Sequence, residues 1–196
     1  MFASAYLTLT SIIQGVALAA LVQRVESNYT SFGTASWIMT ATTFLGILVI
    51  WQEYLTTVMG YVWVPTLLDS VVPFAFVAGE VFMAHFVAND LRNWLLAAGA
   101  TFLVGVAAWL VTLSQITSGR GQSRALARTV PLWQRLRGAL SGAIGLIAIA
   151  GWALYDALGL WRIQVSVAIG MLCLLVGFMA ASIPAWNRLA AQSPGD

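Results

Sequence analysis

Six long apolar runs dominate this chain, and they leave few folds open to it. A helix needs ~20 mostly apolar residues to cross ~30 Å of hydrocarbon. Runs of that kind cover about residues 3–22, 34–55, 62–88, 94–115, 138–154 and 163–183. They are too long for the strands of an outer-membrane barrel and lack the alternation such strands require. Only 8% of the 196 residues are charged, against about a quarter in ordinary soluble domains. A soluble globule could not clothe its own surface from that supply. The single cysteine, Cys173, excludes a disulfide scaffold. The net charge of +2 and the apolar excess exclude disorder. The expected architecture is all-α: one polytopic membrane domain of six transmembrane helices over residues 1–196.

Lysine is absent, so all nine positive charges are arginines. Five of them, Arg120, Arg124, Arg128, Arg135 and Arg137, fall in the one long loop at residues 116–137. The positive-inside bias places that loop, and with it both termini, in the cytoplasm. The opposite side then holds Arg24, Arg92 and Arg162, each with an acid near it in sequence: Glu26, Asp90 and Asp156. Tryptophans at expected span ends (Trp37, Trp94 and Trp161 outside; Trp51, Trp63, Trp133 and Trp186 inside) fit an interfacial belt. No basic leader region precedes the first span, so a cleavable signal peptide is not expected.

Within the loop, Arg124, Arg128 and Arg135 share one helical face, and Leu126, Val130, Trp133 and Leu136 supply an apolar side. Such a segment is expected to lie among anionic headgroups, with Pro131 breaking or kinking it. The fifth run carries Gly138-x-x-x-Gly142 and Ser141-x-x-x-Gly145. Small residues at that spacing let helices approach closely, either within one chain or between subunits.

Charge inside hydrocarbon costs at least ~2.5 kcal/mol on insertion scales, so an intramembrane acid is a functional candidate. Three qualify: Glu53, Asp69 and Glu80. Asp69 and Glu80 are eleven residues apart on the third run, which returns to within about 20° of one helical face and separates them by about 16 Å. Pro73 and Phe76 lie on the same stripe. That spacing is too great for a paired-carboxylate reaction and suits two stations on one path. Pro65 and Pro73 are expected to loosen the helix near Asp69. Glu53, with Gln52 as a neutral polar partner, would stand at an inner mouth. His85 lies off the stripe and, alone, is a poor metal or haem ligand.

No phosphate-binding glycine loop, nucleophile elbow or zinc motif is present. Potassium-filter and voltage-sensor patterns are also missing. No catalytic residues, cofactor, metal or nucleic-acid partner are expected. The first functional expectation is a small homo-oligomeric conductor of protons or cations, lined by the acids of the third span. A proton-coupled transporter of a small solute, or a non-conducting subunit of a larger complex, are the alternatives. The expected setting is the inner (plasma) membrane of a bacterium.

Overall fold

The computed structural model describes the backbone of residues 2–60, 67–117 and 131–192, and the side chains of residues 6–56, 71–114, 136–183 and 187. The described backbone forms six α-helices: α1 (Phe2–Asn28), α2 (Thr34–Gly60), α3 (Leu67–Phe86), α4 (Leu91–Thr117), α5 (Pro131–Ala153) and α6 (Gln164–Gln192). Single 3-10 turns follow α1 at Tyr29–Ser31 and precede α6 at Leu160–Arg162. Five helices are long and apolar enough to cross a membrane. In α3 the described apolar stretch, Val71–Phe86, is shorter.

Several helices outrun the apolar runs that announce them. α1 continues through residues 23–28 because Gln, Arg and Glu are good helix formers. Ser27 and Asn28 also donate their side-chain hydrogens to the carbonyls of Gln23 and Arg24, at 2.8 and 3.0 Å. α5 begins at Pro131, where the missing N–H has no cost because the first helical turn leaves it unpaired anyway. Arg135 and Arg137 therefore belong to the first two turns of α5, not to a separate interfacial segment. Pro131 is the first residue of that helix, and the residues before it, 118–130, lie outside the described residues.

The helices close into a ring: α1 packs on α2 and α3, α3 on α4, α4 on α5, α5 on α6, and α6 back on α2. α2 also touches α3 and α4 across the ring. The nearest approach is between α4 and α5. A methyl at Gly99 would lie 3.0 Å from the Gly145 carbonyl oxygen, and one at Gly145 would lie 3.2 Å from that of Gly99. Beside them the Ser141 hydroxyl donates to the Phe102 carbonyl at 2.9 Å. The small residues of the fifth run thus face α4 of the same chain.

At the end of the ring where α1 meets α2 and α3 meets α4, neutral polar bonds fasten the turns. Asn89, in the left-handed region at φ 72°, accepts from the Ser36 hydroxyl at 2.8 Å and donates to the Ser31 carbonyl at 3.5 Å. Asparagine tolerates that conformation better than most residues. Asp90 caps α4, accepting from the Asn93 N–H at 3.1 Å. Arg92 then pairs with Asp156 at 2.9 Å, both exposed, and not with Asp90, its neighbour in sequence.

Trp94 departs from the interfacial belt. It is fully buried, and its indole N–H donates to Thr43 Oγ1 at 3.0 Å. Thr43 in turn donates to the Met39 carbonyl. A bonded indole is freed from any need for the headgroup region. Trp37, Trp51 and Trp161 do remain exposed.

Candidate functional site

α3 presents two different faces. Pro73, Phe76 and Glu80, spaced three and four residues apart, are buried, while Val71, Phe74 and Phe82 are exposed. That spacing is the inner stripe of an amphipathic helix, and it carries these three residues of the expected stripe inward together. The side chain of Asp69, and all of Pro65, lie outside the described residues. The helix is continuous through Pro73.

Glu80 is 1% exposed, among the most buried side chains described. Its neighbour Gly79 lets α4 come close: a Cβ there would clash with Thr101 Oγ1. Thr101 donates its own proton to the Ala97 carbonyl at 2.8 Å, so its hydrogen is not aimed at the acid. From α1, Gln14 (5% exposed) lies against the Glu80 carboxyl. From α2, Tyr54 (7% exposed) sits within electrostatic range of it.

The Tyr54 ring is held edge-to-face between two others. Tyr6 and Phe76 each lie 6.1 Å away, centroid to centroid, at 75° and 88°. Both Glu80 oxygens, both polar atoms of the Gln14 amide and the Tyr54 hydroxyl are buried without a well-formed hydrogen bond. Isolated orphan groups are rare in folded proteins because each forfeits its hydration. Three helices that converge five such atoms define a polar chamber in an apolar interior. Among the described residues none of the groups around the Glu80 carboxyl is basic, so a charged carboxylate here would be uncompensated. A proton or a small cation would remove that cost.

The second polar cluster lies toward the opposite end of the ring from Asn89. Glu53 of α2 forms an ion pair with Arg137 of α5, and the Arg137 guanidinium also sits 5.9 Å from the centre of the Phe178 ring on α6. The Arg137 side chain is 11% exposed and that of Glu53 34%. Arg137, expected in the long loop, instead comes in with Glu53 and neutralises it. Glu53 is tied across the ring and is not an open mouth. Gln52, next to it, is half-buried, and its backbone carbonyl accepts from Thr56 at 2.8 Å.

Arg120, Arg124 and Arg128 lie outside the described residues, as does the Arg135 side chain. His85 is exposed on the outer side of α3, its ring 5.1 Å from that of Phe86. No group of three His, Cys, Asp or Glu side chains suited to a metal occurs among the described residues.

Gln14 and Tyr54 carry no formal charge, so a search for costly ions in the membrane passes over both. A signal for Gln14 was present. It is an amide in the middle of an apolar run, four residues after Thr10, and both are buried on the same face of α1. Tyr54 reads as an interfacial residue until Phe76 and Tyr6 are seen to enclose it. Comparison of the chain with family models, with curated proteins and with solved structures yields no match, so the function rests on the site itself.

Proposed function

We propose that the protein carries protons or another small cation across a membrane, with Glu80 as the group that takes up the ion. One observation supports this reading above the rest. The Glu80 carboxyl is fully buried among neutral partners with both oxygens unmatched. An acid kept only for packing gains its place through hydrogen bonds, and without them it is costly inside an apolar bundle.

Occlusion of the carboxyl favours a gated carrier over a permanently open pore, because a conducting pore would wet its lining. The Glu53–Arg137 pair favours the same choice, since it ties α2 to α5 across one end of the ring. In this proposal all six helices cross the membrane, and both termini lie on the cytoplasmic side with the arginine-rich segment at residues 116–137 against anionic headgroups. The described groups of the site all come from α1, α2 and α3 of one chain, so the proposed uptake of the ion does not require a second copy.

Reconstitution of the purified protein into liposomes tests the proposal. A pH-sensitive dye inside the vesicles should report proton or cation-coupled flux that is lost in Glu80→Gln, while that variant elutes as the parent does. Absence of H⁺, Na⁺ and K⁺ flux under every imposed gradient would overturn it in favour of a non-conducting subunit.

A further inference from the structure

Building on that reading of Glu80, we propose that the ion is a proton and not a metal cation, held in a reciprocal acid–amide pair between Glu80 and Gln14, with the Tyr54 hydroxyl as third partner. The argument is a count of donors and acceptors. A neutral carboxylic acid offers one O–H and one C=O; a carboxamide offers one C=O and an NH₂; a phenol offers one O–H. The Glu80 O–H donates to Gln14 Oε1, and Gln14 Nε2–H donates back to the Glu80 carbonyl oxygen. That oxygen has a second lone pair, which accepts from Tyr54 O–H. A charged carboxylate could accept from Gln14 Nε2–H and Tyr54 O–H but would leave Gln14 Oε1 facing it with no donor. One added proton gives that oxygen its partner and completes the count for all five buried atoms.

A metal ion leaves the count open. Among the described residues the unpartnered side-chain oxygens of the cluster are four: two from Glu80, one from Gln14 and one from Tyr54. Divalent ions of the Mg²⁺ and Ca²⁺ kind take about six or more. Any metal ion, monovalent ones included, would engage the Glu80 oxygens and Gln14 Oε1 and leave the Gln14 N–H groups without a free acceptor among these atoms. An organic ammonium is disfavoured for a different reason. It brings only N–H donors, so Gln14 Nε2–H and Tyr54 O–H would have to share the Glu80 oxygens with it.

The charged and titratable groups on the packed elements do not compete for the proton. Tyr6 accompanies Gln14 on α1. Glu53 on α2 is neutralised by Arg137 of α5. α4 presents Thr101, bonded to its own helix, and His85 of α3 is exposed on the outer side.

Infrared difference spectroscopy of the full-length protein in lipid tests the assignment independently of transport. The expected result is a protonated-carboxyl C=O band that titrates with pH, disappears in Glu80→Gln, and is unchanged when choline is replaced by Na⁺ or K⁺. In Gln14→Leu the band should move to higher frequency, because its carbonyl loses the amide donor. A band displaced by Na⁺ or K⁺, or no carboxylic-acid band removed by Glu80→Gln, would overturn the proposal. Should Gln14→Leu fail to fold, the parent protein's band and its response to cations decide alone. The band without any liposome flux would retain the proton site and sink the transport reading; Na⁺-driven flux without the band would do the reverse.

Discussion

At the scale of single residues, the Tyr54 hydroxyl and the Glu80 carboxyl make opposite demands on a variant. Tyr54→Phe removes one hydroxyl, and a single hydrogen bond from it to the neutral acid contributes about 1 kcal/mol net, so thermal stability in detergent should change by no more than about that. Proton flux should nevertheless fall, because one donor to the carbonyl oxygen of the neutral acid is gone. A large loss of stability with unchanged flux would assign Tyr54 to packing alone. Glu80 was legible in the sequence because charge in an apolar run is conspicuous. Gln14 left a weaker signal, since a lone amide costs less and resembles many tolerated polar residues. Arg137 was misplaced because its sequence neighbours, Arg135 and Pro131, look like loop. Only the entry of α5 at Pro131 carries that guanidinium beside Glu53.

At the scale of elements, the existence of the helices follows from apolar run length, and their partners do not. Hydrophobicity marks a span but does not say which side faces which neighbour. Glycine placement resolves that question only with coordinates in hand. Gly99→Ala should destabilise the protein by about 1–3 kcal/mol, because its methyl would meet Ile149 Cγ1 at 2.6 Å and the Gly145 carbonyl oxygen at 3.0 Å. Gly170→Ala, on α6, meets nothing within 4 Å. It should be neutral or stabilising by up to about 1 kcal/mol through helix propensity. Equilibrium unfolding of both variants in mixed micelles checks the contrast; equal effects would contradict the α4–α5 contact. Trp94 is a lesson of the same kind. Its position at a span end fits a belt, but the Thr43 hydroxyl on α2 gives its indole a partner inside.

At the scale of the whole molecule, two ion pairs at opposite ends of the ring should respond differently to salt. Arg92–Asp156 is exposed on both sides, 44% and 72%, and a double-mutant cycle on it should give at most about 1 kcal/mol, declining as ionic strength rises. Glu53–Arg137 is sheltered. Its coupling should be the larger of the two and should persist in high salt, because a sheltered pair is less screened. The proposed orientation has its own check. Single cysteines placed in residues 116–130, in a background without Cys173, should react only from the cytoplasmic side, and those near Asn28 or Asn89 only from the other. Reversed labelling would invert the topology and leave the ring intact.

The order of the ring also has a consequence for how the protein is made. Chains are synthesised from the N-terminus, and early segments begin to fold before later ones exist. The three helices that enclose Glu80 all precede Leu91, so the polar chamber is assembled first. Yet the flank of α2 is covered by α6, which leaves the ribosome after the other five. For the interval between them, α2 must sit in lipid with that flank unclaimed, and the final docking of α6 seals a seam whose two edges are more than a hundred residues apart. A nascent chain arrested before Gln164 should therefore hold the acid site already formed while the seam stands open.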